Sequence, residues 1–504
     1  MAAELTSGPA AGPVARALCA GRTVHTVRPA HSADGLHRTV ADYAPVLPVV
    51  ATVLLLCVPA GGSGPDGGAT ARITPADAAS AVLVLWCAVT VLRSGRRSLT
   101  PAAAAVLAAP ALAFGLAAVT SADPYGSLPG FCRYVQVFVL LPVSLVLLLR
   151  SRRDFRLVAY AVLALALVQG AIGVHQYATG TGASYMGRTV RAVGTFGALD
   201  VMGMSTVVAY GLVTALAFAL APPAGAPRWF RGGALCCAGA LLVPLAVSFS
   251  RGAWIATGLA ALVMLFLTGL RLALRVLAVL LATAVVLVGG AGVGSELIGA
   301  RLSSITQVTG APDRSVTDRY AMWDAAASMW RDAPATGVGL KGFPVHRDGH
   351  ASLGLSSGSD TEGAGADFRR EPLLSPHNMY LLLLSEQGLA GLTLVAGSWA
   401  ALLACGVRRL ARTGRTGRTG RTGRTARTAR AGRTVSAGRT AHGRGCGLAA
   451  VGLLVWQCVD FLYADIGGPS TVLTGVLLGL AAWWAFAPAA TAPAAASADR
   501  AGAP

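Results

Sequence analysis

Charge is scarce in this chain. Asp, Glu, Lys and Arg make up 12% of its 504 residues, against about a quarter in soluble domains, too few to coat several water-facing domains. Lysine is scarcest: Lys341 stands alone, so 40 of the 41 basic residues are arginine. Residues 1–42 are polar, carry Arg16, Arg22, Arg28 and Arg38, and lack the short apolar stretch of a cleaved signal peptide. The nine cysteines (19, 57, 87, 132, 236, 237, 405, 446 and 458) lie mostly in apolar runs. That excludes a disulfide framework and zinc spacing, and reads as buried free thiols.

What is abundant is apolar. Hydrophobic residues reach 54%, with 62 glycines besides. Neither a disordered chain nor a disulfide-stapled secreted domain has such a composition. A polytopic membrane protein does. A spanning helix needs about 20 apolar residues, and twelve segments qualify: 43–61, 76–92, 101–120, 131–149, 157–174, 199–221, 233–249, 252–270, 275–293, 388–407, 446–464 and 469–488. Each is expected to be helical, because backbone groups facing lipid have no water to bond.

Arginine positions orient the chain. Arg93, Arg96 and Arg97 follow the second segment; Arg150, Arg152, Arg153 and Arg156 the fourth; Arg228 and Arg231 the sixth; Arg271 and Arg275 the eighth. The tract Arg408–Arg444, with 12 arginines and no acid, follows the tenth. Every even-numbered exit is basic, which puts these loops and both termini in the cytoplasm of a multi-pass cytoplasmic-membrane protein. The fold expected is all-α: a transmembrane bundle of about twelve spans with one long, partly helical extracytoplasmic loop. Its divisions are a cytoplasmic tail at 1–42, helices one to nine at 43–293, the outer loop at 294–376, a re-entering segment and helix ten at 377–407, a cytoplasmic Arg-Thr-Gly loop at 408–445, helices eleven and twelve at 446–488, and a cytoplasmic tail at 489–504. The Arg-Thr-Gly repeats read as low-complexity sequence in a tolerant loop. Their excess charge calls for no nucleic acid; anionic headgroups are the alternative partner.

The outer loop has eight basic and ten acidic residues between 294 and 376, and is too long for a passive connection. From Asp318 it reads as helix, with Tyr320, Trp323, Ala327 and Trp330 near helical spacing. Pro334, Gly337, Gly339 and Gly342 then break it into turns. Ser352–Gly365 is Gly/Ser-rich.

Ionisable groups at membrane depth are costly and therefore informative. Arg191, Arg251, Arg319 and His377 all fall at the outer face of this topology. An arginine at a span end can simply snorkel to headgroups, and Arg319 could pair with Asp318 or Asp324. Arg251, however, lies on the side where the charge rule asks for no arginine. Glu386 falls within the apolar helix after His377. Arg133 and Asp460 could pair or line a cavity. His346, Asp348 and His350 have no defined further ligand around them, so no metal site is expected. Guanidinium forks bind phosphate oxygens and remain charged; they would stabilise a departing diphosphate. A neutral histidine could take a proton from an attacking hydroxyl. No Asp-x-Asp pair occurs in the outer loops, so arginine rather than a metal would carry that charge, and no cofactor is called for.

In this order the segments resemble the O-antigen ligase and O-antigen polymerase superfamily of bacterial membrane glycosyltransferases. The resemblance runs from Arg191 to Gly391: Arg191-x-x-Gly-Thr-Phe, Ser250-Arg-Gly-Ala-Trp254, Arg319-x-x-x-Trp323, Pro334-x-x-Gly337-x-Gly339-x-x-Gly342-Phe343, His377-Asn378, and Leu384-x-Glu386-x-Gly388-Leu-x-Gly391. Two departures stand out: Gly197-Ala-Leu-Asp200 lacks an asparagine, and the outer loop is swollen. The resemblance implies an undecaprenyl-diphosphate-linked glycan donor, a glycan, lipid or other hydroxyl acceptor, and inverting transfer without metal. It implies Arg251 and Arg319 at the diphosphate, Arg191 assisting, Glu386 among the substrate-binding groups, and His377 activating or orienting the acceptor. Trp323 would pack the loop helix. Two other readings stand beside it. One is a transporter or flippase, which would show internal repeats and broken helices near the midplane. The other is a scaffold recruiting acidic partners to the arginine tract.

Overall fold

The computed structural model describes residues 43–59, 74–95, 99–185, 188–200, 202–285, 314–352, 355, 374–422 and 443–487. The chain divides into units at 1–44 and 45–504. The first, Tyr43 and Ala44 apart, lies outside the described residues, as do most of the Arg-Thr-Gly tract, the Gly/Ser-rich stretch and the C-terminal tail.

The described chain is almost wholly helical: α1 (Leu47–Leu54, continued by a 3-10 turn Leu55–Cys57), α2 (Pro75–Ser94), α3 (Pro101–Val119), α4 (Pro124–Val135) running through a π-turn Gln136–Leu140 into α5 (Leu141–Leu148), α6 (Arg152–Thr179), α7 (Gly203–Leu220), α8 (Arg228–Val247), α9 (Arg251–Thr268), α10 (Leu270–Val285), α11 (Arg314–Asp332), α12 (Phe343–His350), α13 (Met379–Thr422), α14 (Arg444–Asp460) and α15 (Thr471–Phe486). Eight of these segments are long and apolar enough to cross a membrane; Leu47–Cys57 and Thr471–Phe486 are shorter apolar helices. This is a polytopic helical membrane protein. Local sequence explains the starts. Thr74-Pro75, Thr100-Pro101 and Asp123-Pro124 each put a capping side chain before a proline at the first turn. Ser151 and Asp154 form a capping box on α6.

Several details differ from the sequence expectation. The segment expected at 131–149 begins at Pro124 and runs 25 residues, because Asp123 caps a polar first turn. Helix α13 runs on to Thr422, so the repeat begins as helix. A hairpin of β1 (Ala183–Tyr185) and β2 (Arg188–Arg191), antiparallel with a bulge between Ala183 and Ser184, interrupts the all-α pattern.

The ends of the helices sort into two groups. At one end, arginines cap helix termini: Arg444 Nη2 donates to the carbonyls of Leu267 and Thr268 (both 2.9 Å), and Arg409 Nη1 to that of Trp484 (2.6 Å). At the other end α11 and α12 dock. Between them α7 is buried on nearly all sides, which is why it is apolar all round rather than striped.

Candidate functional site at the loop end

A single turn, Phe461–Ser470 between α14 and α15, gathers the loop end. The Met379 N–H donates to the carbonyls of Phe461 (2.9 Å) and Ala464 (3.1 Å), which seats the start of α13 on it. A side chain added at Gly252 would lie 3.2 Å from Tyr463 Cβ, so the start of α9 abuts the same turn. The Ser470 N–H donates to Asp200 Oδ2 (3.0 Å), tying in the segment before α7. Three stretches far apart in sequence are thereby fixed to one element.

Arg251 is the first residue of α9, and Ser250 caps that helix by accepting from the Ala253 N–H. A cation there opposes the positive end of the helix dipole, and an anion would be favoured by both. Arg191 ends β2. Its Nε–H donates to the Ser248 carbonyl (3.1 Å) and its Nη2 reaches Met202 Sδ (2.8 Å), which braces it against the turn before Arg251. The Gly-Thr-Phe after Arg191 has a mechanical role. Gln176 Oε1 accepts from the Val193 and Gly194 N–H groups (3.0 and 2.8 Å), and Gln169 Oε1 from that of Thr195 (2.9 Å). Gly194 has φ 64°, and a side chain there would collide with Gln169 at 2.3 Å.

Arg319 lies on α11. Burial lowers its pKa, Asp465 opposes that, and Arg251 reinforces it, so Arg319 is within electrostatic reach of both. His377 has φ 50°, an unusual conformation for a residue with a side chain. Burial pulls its pKa below the usual histidine value; Asp465 raises it and Arg319 lowers it further. Asn378 caps α13, accepting from the N–H groups of Tyr380 (3.0 Å) and Leu381 (3.1 Å). The Trp323 indole N–H donates to the Pro376 carbonyl (2.9 Å), so Trp323 joins the Arg319 helix to the residue before His377.

Glu386 is buried at 1% exposure. It lies at a break in α13, where Gly388 adopts φ 62° and ψ −164°. The break leaves backbone groups unpaired, and the turn after α11 satisfies them. Val338 and Gly339 N–H groups donate to the carbonyls of Ser385 and Glu386 (both 2.9 Å), while those of Leu389 and Ala390 donate to Pro334 (2.9 Å) and Ala335 (3.1 Å). A side chain at Gly337 would meet the Glu386 carbonyl carbon at 2.3 Å, and one at Gly388 the Ala335 carbonyl at 2.4 Å. The two glycine-bearing segments are halves of one joint. Glu386 Oε1 accepts from the Phe343 N–H (3.3 Å), and its charge faces Lys341, whose ammonium lies 5.7 Å from the Tyr134 ring centre.

Arg251, Arg319 and His377 are thus brought into one electrostatic cluster, Arg191 stands behind it, and Glu386 belongs to the joint. Sequence reasoning missed Asp465, whose Oδ2 is buried without a hydrogen-bond partner among the described residues. The only signal was a lone acid in a short turn between two apolar runs. Arg133 pairs with Asp77 rather than with Asp460: α2 packs on α5, the continuation of α4, and this brings Asp77 to Arg133. His346, Asp348 and His350 are engaged separately, by the Gly342 carbonyl (2.9 Å), Arg347 (2.8 Å) and Ser328 Oγ (3.0 Å). Among the described residues no group of three or more His, Cys, Asp and Glu is arranged to hold a metal ion.

Comparison with known proteins gives one family match. Residues 236–396 match the O-antigen ligase model, Wzy_C, a span that includes Arg251, Arg319, His377 and Glu386 but neither Arg191 nor Asp465. No curated protein matches the chain.

Proposed function

We propose, for a membrane protein whose residues 236–396 match the O-antigen ligase family, that it is an enzyme that transfers or polymerises glycan from an undecaprenyl-diphosphate-linked donor. The acceptor hydroxyl lies at the outer face of the cytoplasmic membrane. The observation that carries this reading is the meeting of Arg251, Arg319, His377 and Asp465 at the Phe461–Ser470 turn. The half-buried Arg319 and the exposed Arg251 act on one another electrostatically, and a pair of guanidiniums suits a diphosphate.

In the reaction, the acceptor oxygen attacks the anomeric carbon opposite the diphosphate. The glycosidic bond forms as the carbon–oxygen bond to diphosphate breaks, and the configuration inverts. Arg251 and Arg319 hold the diphosphate as its charge grows, and Arg191 supports them through the turn at Ser248. His377 is kept neutral by burial and takes the hydroxyl proton; Asp465 stabilises the resulting imidazolium. Glu386 contributes by fixing the Gly337–Phe343 turn over the break in α13. The arginine end faces the cytoplasm, which leaves the cluster outside, with both termini inside and twelve spans in all.

The test is to incubate the purified full chain with an undecaprenyl-diphosphate oligosaccharide and an acceptor glycan, and to weigh the products. Longer glycan together with free undecaprenyl diphosphate is expected. Passage of the intact lipid-linked glycan across vesicles without bond formation would replace this reading with transport.

A further inference from the structure

Helix α11 buries Met322, Ala325, Ala326 and Met329. Tyr320 lies on the opposite side, 57% exposed. It makes no part of that packed face, so folding does not account for an aromatic ring there. The exposed residues one turn to either side of it, Thr317 and Asp324, are polar, so this is not a lipid-facing surface. The ring is nevertheless held. It meets Trp323 at 86° with centroids 5.6 Å apart, and Trp323 is in turn fixed to the Pro376 carbonyl beside His377. Arg319 is its neighbour in the chain, and Asp324 follows one helical turn later on the same side.

We infer that Tyr320 is a platform for a pyranose ring at the reacting centre, with Asp324 accepting hydrogen bonds from that sugar's hydroxyls. A pyranose has apolar C–H faces bordered by hydroxyls. An exposed ring with a negative π face suits the former, and a solvated carboxylate at its edge suits the latter. The inference rests on the glycan-transfer reading and names where that glycan is gripped. The sugar comes either from the donor, next to its diphosphate, or from the acceptor, next to its attacking hydroxyl.

The experiment uses the purified full chain with Tyr320→Ala, Tyr320→Leu and Tyr320→Phe. Two probes are titrated, undecaprenyl diphosphate carrying N-acetylglucosamine and sugar-free undecaprenyl diphosphate, and KM is measured for donor and acceptor separately. Loss of the ring is expected to weaken sugar-dependent binding or raise one KM roughly three- to tenfold. The Leu variant should behave like Ala, Phe should restore the effect, and sugar-free lipid should bind unchanged. A shift in donor affinity assigns the platform to the donor sugar; a shift in acceptor KM alone assigns it to the acceptor. The inference is overturned if all variants match the parent chain, if Phe is as impaired as Ala, or if sugar-free lipid is weakened equally. Should the parent chain transfer nothing, the glycan-transfer reading fails, while the two binding titrations still decide the platform.

Discussion

The Trp323 indole N–H donates to the Pro376 carbonyl at 2.9 Å, and this bond ties together the two segments that carry Arg319 and His377, groups that act together in the proposed transfer. Arg319 lies one helical turn before Trp323, and His377 directly follows Pro376. Trp323→Phe keeps the ring and removes the donor. Transfer should fall by roughly 10- to 100-fold, since a small misplacement of reacting groups has that cost, while thermal unfolding changes little. Steady-state kinetics beside a melting curve check this.

The glycine joint should fail differently. Gly337 and Gly388 have φ 68° and 62°, and each faces backbone of the other segment too closely for a side chain. Gly337→Ala and Gly388→Ala should each lower stability by about 1–3 kcal/mol or more, through strain and overlap. Melting of the purified variants measures it. Unchanged melting for both would remove the joint.

The acid limb of the rate profile should report Asp465. In the proposed mechanism His377 works as a base only when neutral, so activity should fall as pH drops through its pKa. Asp465 raises that pKa against the effect of burial. Asp465→Asn should therefore move the acid limb to lower pH, even as it reduces the maximal rate. A limb that stays in place, or moves up, would separate Asp465 from His377.

Arg133 and Asp77 form an ion pair between α4 and α2. Removing one partner leaves the other half-buried charge uncompensated. Arg133→Ala should lower the melting temperature, Asp77→Ala/Arg133→Ala should recover part of the loss, and turnover of the folded fraction should remain. A thermal-shift double-mutant cycle decides it.

The helices were legible because lipid makes length and apolarity sufficient signals. Of the arginine loops, expected at one end, Arg409 and Arg444 donate to the carbonyls that end α15 and α9. The loop helix was legible from the spacing of Tyr320, Trp323, Ala327 and Trp330, and it runs Arg314–Asp332. The motif glycines marked turns, but that the turn at Gly337 fills the break at Gly388 depends on tertiary contact that no local pattern encodes. Broken helices were expected of a transporter; this break has its free backbone groups bonded to the loop. The hairpin escaped because strands of three and four residues offer almost no periodicity. Asp465 escaped because a lone acid in a turn has no spacing to read, and the partner of Arg133 because two carboxylates were in reach of the topology and only packing chooses between them.

The central claim is that Arg251 and Arg319 hold the diphosphate while the sugar leaves it. The most direct measurement is transfer from undecaprenyl-diphosphate oligosaccharide by purified Arg251→Ala and Arg319→Ala chains that melt as the parent does. Each is predicted to lose roughly 10²- to 10³-fold in turnover, with weaker binding of sugar-free undecaprenyl diphosphate. Product of normal amount and chain length from both variants would contradict the account.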